Sequence, residues 1–119
     1  MDVRLVNSES DWTQFQLVGN ISGDAVSGAT KAPLSLFNFS EEELNQHILL
    51  DLNDATFLDS SGIGWLLSVN RVAKERGYSV VVHSVPPLIH RVFTMMRLGE
   101  VIPVVEGLDE ARNHVTSTN

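Results

Sequence analysis

The spacing of apolar positions changes period several times along the chain, and each change marks an element. Val3 to Val6 is a short alternating run, followed by the turn cluster "NSESD". Phe15, Leu17 and Ile21 punctuate a second extended segment, "TQFQLVGNIS". Two such runs with a turn between them predict an N-terminal hairpin. The stretch "SGDAVSGATKAP" is rich in Gly, Ser and Ala, ends at Pro33, and reads as loop or weak helix. In "FSEEEL", Ser40 and Glu43 stand at capping-box spacing, which predicts the start of a short helix.

From Gln46 onward the pattern is more regular. "HILLDL" is a buried-strand run, followed by "NDATF". Ile63, Leu66, Leu67 and Ala73 recur at helical spacing between Ser61 and Arg76, with Gly77 as a stop. "SVVVHSV" is a second buried strand. Pro87 suits a helix start, and Ile89, Val92, Phe93 and Met96 form an apolar stripe that ends near Gly99. "VIPVVE" is a last strand whose Pro103 points to a sheet edge, and "LDEARNHV" suits a terminal helix. This alternation of strand and helix predicts parallel strands joined by crossover helices. The expected fold is α/β: one domain over residues 1–119 with a mixed, mostly parallel sheet, an N-terminal hairpin and helices mainly on one face.

Composition narrows the function classes. A chain of 119 residues without cysteine has no disulfide, no thiolate metal site and no cysteine nucleophile. Its formal net charge of −7 lacks the basic footprint of a nucleic-acid binder and favours partners with basic surfaces. No apolar run approaches the roughly 20 residues that span a bilayer. "MDVRLVNSESDW" shows no basic segment leading into an apolar core, as a signal peptide would. The expectation is a soluble cytoplasmic protein that neither binds nucleic acid nor inserts into a membrane.

The candidate chemistry lies in "TFLDSSGIGWLL", where an acid, two hydroxyls and two glycines join an apolar strand to a helix. A dinucleotide fingerprint starting at Gly62 would need glycine where Leu67 stands. A nucleophile elbow at Ser60 would need glycine where Leu58 stands. There is no Gly-Lys-Ser/Thr run, and His47, His83, His90 and His114 form no pair at helical ligand spacing. Neither a metal nor a cofactor is expected, and no base adjoins Ser60 to make it a catalytic nucleophile.

The plainest role for Asp59 and Ser60 is to cap the helix, with Gly62 and Gly64 letting the turn pack tightly. The same geometry suits a switch. A hydroxyl at a strand-to-helix junction is exposed, and a phosphate there adds about −1.5 to −2 charges beside Asp59, which a docked partner would not tolerate. Trp65, Val69 and Val72 form a second apolar stripe on the helix. Either that stripe packs beneath a neighbouring element, or Trp65 is an exposed anchor for a partner or a homodimer. The anchor reading expects Trp65→Ala to fold.

The stretch "ILLDLNDATFLDSSGIGWLLSVNRVAKERG" resembles the signature of STAS domains, and among them the bacterial anti-sigma factor antagonists. The pattern is met at Asp51, Leu52, Phe57, Leu58, Asp59, Ser60, Ser61, Gly62, Ile63 and Gly64, and "PLIHRVFTMMRLGEVIPVV" resembles the helix and strand that follow. The resemblance implies a non-catalytic partner-switching regulator of transcription, of the kind used in stress responses. It implies that Ser60 is phosphorylated by a serine kinase that is also the anti-sigma factor, and that a serine phosphatase resets it. It further implies that Ser61 caps the helix, and that Asp59, Ser61, Gly62 and Gly64 belong with Trp65 to the partner-binding surface. The alternative is a non-phosphorylated STAS docking subunit of a membrane transport complex. Two departures stand out. Gly19, Asn20, Ile21 and Ser22 replace a Gly-(Glu/Asp)-(Leu/Ile)-Asp turn, and Met96, Arg97 and Leu98 replace Thr-Gly-Leu.

Overall fold

The computed structural model describes residues 1–29, 31–38 and 44–116. The chain opens with β1 (Asp2–Ser8) and β2 (Trp12–Ile21). A four-residue helix, α1 (Gly23–Val26), and 3₁₀ turns at Ser27–Ala29 and Pro33–Phe37 follow. Then come β3 (His47–Asp51), β4 (Ala55–Leu58) and the long helix α2 (Ser60–Glu75). The last part holds β5 (Val80–His83), α3 (Pro87–Met95), a 3₁₀ turn at Leu98–Glu100, β6 (Val104–Val105) and α4 (Leu108–Thr116).

The strands form one mixed sheet in the order β1-β2-β3-β5-β6. Only β1 runs antiparallel, pairing Leu5 with Phe15 and Val3 with Leu17 in the expected hairpin. β3, β5 and β6 are parallel, and β6 sits on the edge, as Pro103 indicates. β2 does double duty. Trp12 to Gln16 pair with β3, while Gly19 to Ile21 pair with β4. The strand β4 is not evident in the hydropathy of "NDATF", because it is four residues long and its partner lies far back in the chain.

Central strands covered on both faces are continuously apolar, and β3 and β5 follow that rule. One face carries Phe15, Leu17, Ile48, Leu50, Val80 and Val82 into the main core with α2 and α3. The other carries Trp12, Leu49 and Val81 beneath Ala111 and Val115 of α4. The helices therefore lie mainly on one face. α2 ends as the sequence predicts. Gly77 has φ +85°, its amide donates to Lys74 O at 2.9 Å, and Tyr78 N donates to Ala73 O at 2.9 Å. Such a left-handed closure satisfies carbonyls that the helix end leaves bare.

Two expectations change. The capping-box helix at Ser40 and Glu43 lies outside the described residues, and Leu44 to Gln46, which the pattern extends into, are not helical. The apolar stripe of α3 stops short, because Ile89 and Phe93 are buried but Met96 is 56% exposed.

Candidate functional site

β4 delivers the chain into α2 through Asp59, whose extended backbone (φ −107°) makes it the helix N-cap. Gly62 N–H donates to Asp59 Oδ1 at 2.8 Å, which satisfies one of the amides a helix start leaves unpaired. The second carboxylate oxygen reaches across the fold. Gly23 N–H, at the start of α1, donates to Asp59 Oδ2 at 3.0 Å. One side chain therefore ties the α2 start to the loop after β2. The Gly62 amide, then that of Gly23, hold the Asp59 carboxyl below its ordinary range, so it is a stable anion at neutral pH. The capping role assigned to Ser61 is corrected here. Asp59 is the cap, and Ser61 lies in the first turn, with its Oγ facing Gly23.

Ser60 is the first residue of α2 and is exposed. Among the described residues its hydroxyl has no hydrogen-bond partner, and no histidine or lysine approaches it as a base would. The buried imidazole of His83 lies on the sheet face opposite α2, with the residues under α4. No group of three or more His, Cys, Asp or Glu among the described residues is placed to hold a metal. A cavity of about 460 Å³ lies between β1, β2 and the Pro33–Phe37 turn, and none of residues 59–64 lines it. The junction can thus present a hydroxyl and a fixed carboxylate to a partner, and it holds no assembled nucleophile.

The glycines divide. Gly62 is buried against the end of β2, where a β-carbon would stand 2.0 Å from Ile21 O. Its lack of a side chain serves internal packing, which corrects its assignment to a partner surface. Gly64 is exposed with open space before it.

Trp65 is also corrected. It is 4% exposed and belongs to the main core. Its Nε1–H donates to Pro33 O at 2.9 Å, and its ring stacks on Phe37 with centroids 5.5 Å apart. Val69 and Val72 are buried with it, so the second stripe of α2 packs beneath the Pro33–Phe37 turn. Trp65 is therefore not a surface anchor. Sequence reasoning missed the parts of the site that come from the loop after β2, Ile21 and Gly23. Gly23 sits 36 residues from its carboxylate partner, and nothing local signals the pairing.

Residues 34–106 match the family described as MlaB, STAS domain. The anti-sigma F factor antagonist of Paenibacillus polymyxa is 33% identical over 61 residues, which cover 51% of this chain and 52% of that protein. The match thus spans about half the length of that curated relative. Among solved structures, the anti-sigma factor antagonist SpoIIAA in its unphosphorylated form superposes with a TM-score of 0.70 at 20% identity, covering 98% of both chains. The Bacillus cell fate determinant SpoIIAA in its phosphorylated form gives 0.62 at 21% identity, covering 95% of this chain and 98% of that one.

Proposed function

Because the chain belongs to the STAS domain family, we propose that it works as an anti-sigma factor antagonist whose binding is switched by phosphate on Ser60. The observation that carries this reading is the exposed, unbonded Ser60 hydroxyl directly beside the fixed Asp59 carboxylate. A phosphate there adds about −1.5 to −2 charges to a surface already carrying one. The positive end of the α2 dipole tolerates it, so the domain does not refold. A partner docked over the junction meets the whole change in charge. The partner on this reading is an anti-sigma factor that is also the serine kinase, and a serine phosphatase returns the protein to its binding form. Asp59, Ser61 and Gly64 border the contact. The domain itself is non-catalytic and works in the cytoplasm, with residues 1–119 as the complete switching unit.

The test is phosphosite mapping by mass spectrometry on protein taken from its own cells, growing and stressed. Phosphate on Ser60 whose occupancy changes with condition supports the switch. A Ser60 that stays bare in every condition removes it. The match to a family described as MlaB favours a second reading in that event. The chain would then be a constitutive docking subunit of a membrane transport complex, recovered in a stable assembly indifferent to Ser60→Asp.

A further inference from the structure

α3 is apolar on two sides. Ile89 and Phe93 face the core, whereas Leu88 and Met95 face outward and are 64% and 74% exposed. Leu88, Arg91 and Met95 are spaced three and four residues apart, so they form one row on the helix surface. Beside α3 runs β4, whose Phe57 is 48% exposed. Clustered exposed apolar side chains of this kind mark interaction surfaces.

The charge around this row is inverted relative to the chain. Residues 86–99 contain His90, Arg91 and Arg97 and no acid, in a protein whose net charge is −7. Arg97 is paired with Glu100 at 3.0 Å. Arg91 forms no ion pair among the described residues, and it stands between Leu88 and Met95.

The geometry points to Phe57, Leu88, Arg91 and Met95 as the docking surface for a second protein that presents an acidic side chain within an apolar patch. This inference rests on the switch proposed above and names the chemistry of its partner. A second copy of the chain fits poorly. Antiparallel packing of α3 on its symmetry mate sets Leu88 over Met95 but drives the two Arg91 side chains together, between molecules of charge −7 each. An anionic membrane also fits poorly, because clusters of about 4–8 cations mark lipid-binding segments and only Arg91 in this row is unpaired. An acidic protein surface satisfies all four residues. Arginine is enriched at the anchors of interfaces, and methionine adapts its shape to a partner. The sign of the switch follows. β4 runs from Phe57 through Asp59 to Ser60, so a phosphate on Ser60 is set beside the contact that selects an acidic partner and repels it.

The experiment places a photo-cross-linking residue at Met95 of the full chain in its own cells. The cross-linked protein is identified and purified, and its affinity is measured for the wild type, Arg91→Glu and Ser60→Asp. Arg91 is exposed, so Arg91→Glu keeps the fold, which circular dichroism verifies. The expected result is an adduct with a different protein, at least a tenfold loss of affinity in Arg91→Glu, and recovery when the contacting acid on the partner is changed to lysine. No adduct, adducts only with a second copy or with lipid, or an affinity for Arg91→Glu within twofold of wild type would each overturn the proposal. A loss in Arg91→Glu with none in Ser60→Asp keeps the surface and removes the switch. The reverse pattern keeps the switch and removes the surface.

Discussion

Gly62 stands so close to Ile21 that a β-carbon at position 62 would lie 2.0 Å from the Ile21 carbonyl oxygen. The obstacle is backbone, held by the pairing of β2 with β4 and by the Asp59 amide, which donates to the same oxygen at 3.3 Å. Gly62→Ala therefore has no flexible side chain to displace. It is expected to cost about 3 kcal/mol or more, the upper end for overpacking. Gly64→Ala is the matched control. It meets open space on the exposed side of the same helix and should gain about 0.5–1 kcal/mol. Urea unfolding of both variants should move the midpoint in opposite directions. Equal effects would mean that the β2–α2 approach is looser than described.

Trp65→Ala should be among the most damaging substitutions in the protein. It removes a buried indole, its stacking on Phe37 and its hydrogen bond to Pro33 O. Large aromatic truncations in cores cost about 3–5 kcal/mol, against a typical total of about 5–15 kcal/mol. This reverses what an exposed anchor predicts. Trp65→Phe keeps the stacking and should cost less. Denaturant titration followed by circular dichroism ranks the two variants, and an unperturbed Trp65→Ala midpoint would contradict the burial.

The Asp59 clamp should be visible in acid. Its carboxyl is held low in the folded state by the Gly62 and Gly23 amides. The unfolded chain binds that proton more readily. The clamp thus contributes fully above the ordinary carboxylate range, near pH 4, and its contribution is lost as pH falls through the lower folded value. Asp59→Asn can still cap the helix but does not titrate. Its stability profile should be flatter on the acid side than that of the wild type, as read from midpoints at a series of acidic pH values. Parallel profiles would remove Asp59 as the source.

His83 should act in the same sense nearer neutrality. Burial holds its imidazole below the ordinary range, and the Asp51 and Glu110 carboxylates oppose that pull without overcoming it. Gln14 Nε2 stands 3.3 Å from its Nε2, and Ser84 Oγ stands 2.9 Å from its Nδ1. Below about pH 6.5 the unfolded chain takes up a proton that the folded chain resists, so stability present above that value declines as pH falls. His47 is shifted the same way by burial, with Asp11 opposing. In His83→Gln the loss of stability between about pH 7.5 and about pH 5.5 should shrink, leaving the part due to His47. An unchanged slope would show that His83 does not contribute.

The alternating half of the fold was legible because β3 and β5 are buried on both faces, which forces continuous apolar runs that a hydropathy reading detects. The Gly77 stop was legible because only a left-handed residue closes that helix end well. The junction was legible as a place, since Asp-Ser-Ser-Gly after a strand has few other uses. The assignment within it was not. Asp59 and Ser61 are both good caps by residue type, and only the backbone at Asp59 decides between them. Trp65 was ambiguous because α2 is packed on two sides, and periodicity cannot reveal the Pro33–Phe37 turn that comes to lie over its second stripe. Gly23 left no trace because its role is a backbone amide, which every residue type but proline possesses.

The α4 face of the sheet also bears on how the protein is made. Trp12, Leu49 and Val81 are assembled by strands synthesised early, whereas Ala111 and Val115, which cover them, belong to the last described helix. Chains emerge at about 5–20 residues per second, so for some seconds a nascent sheet carries an uncovered apolar face. In that interval the face is open to ribosome-associated chaperones and to pairing with neighbouring nascent chains. Slow translation or pausing just before α4 is therefore expected to lower yield without changing the mature protein.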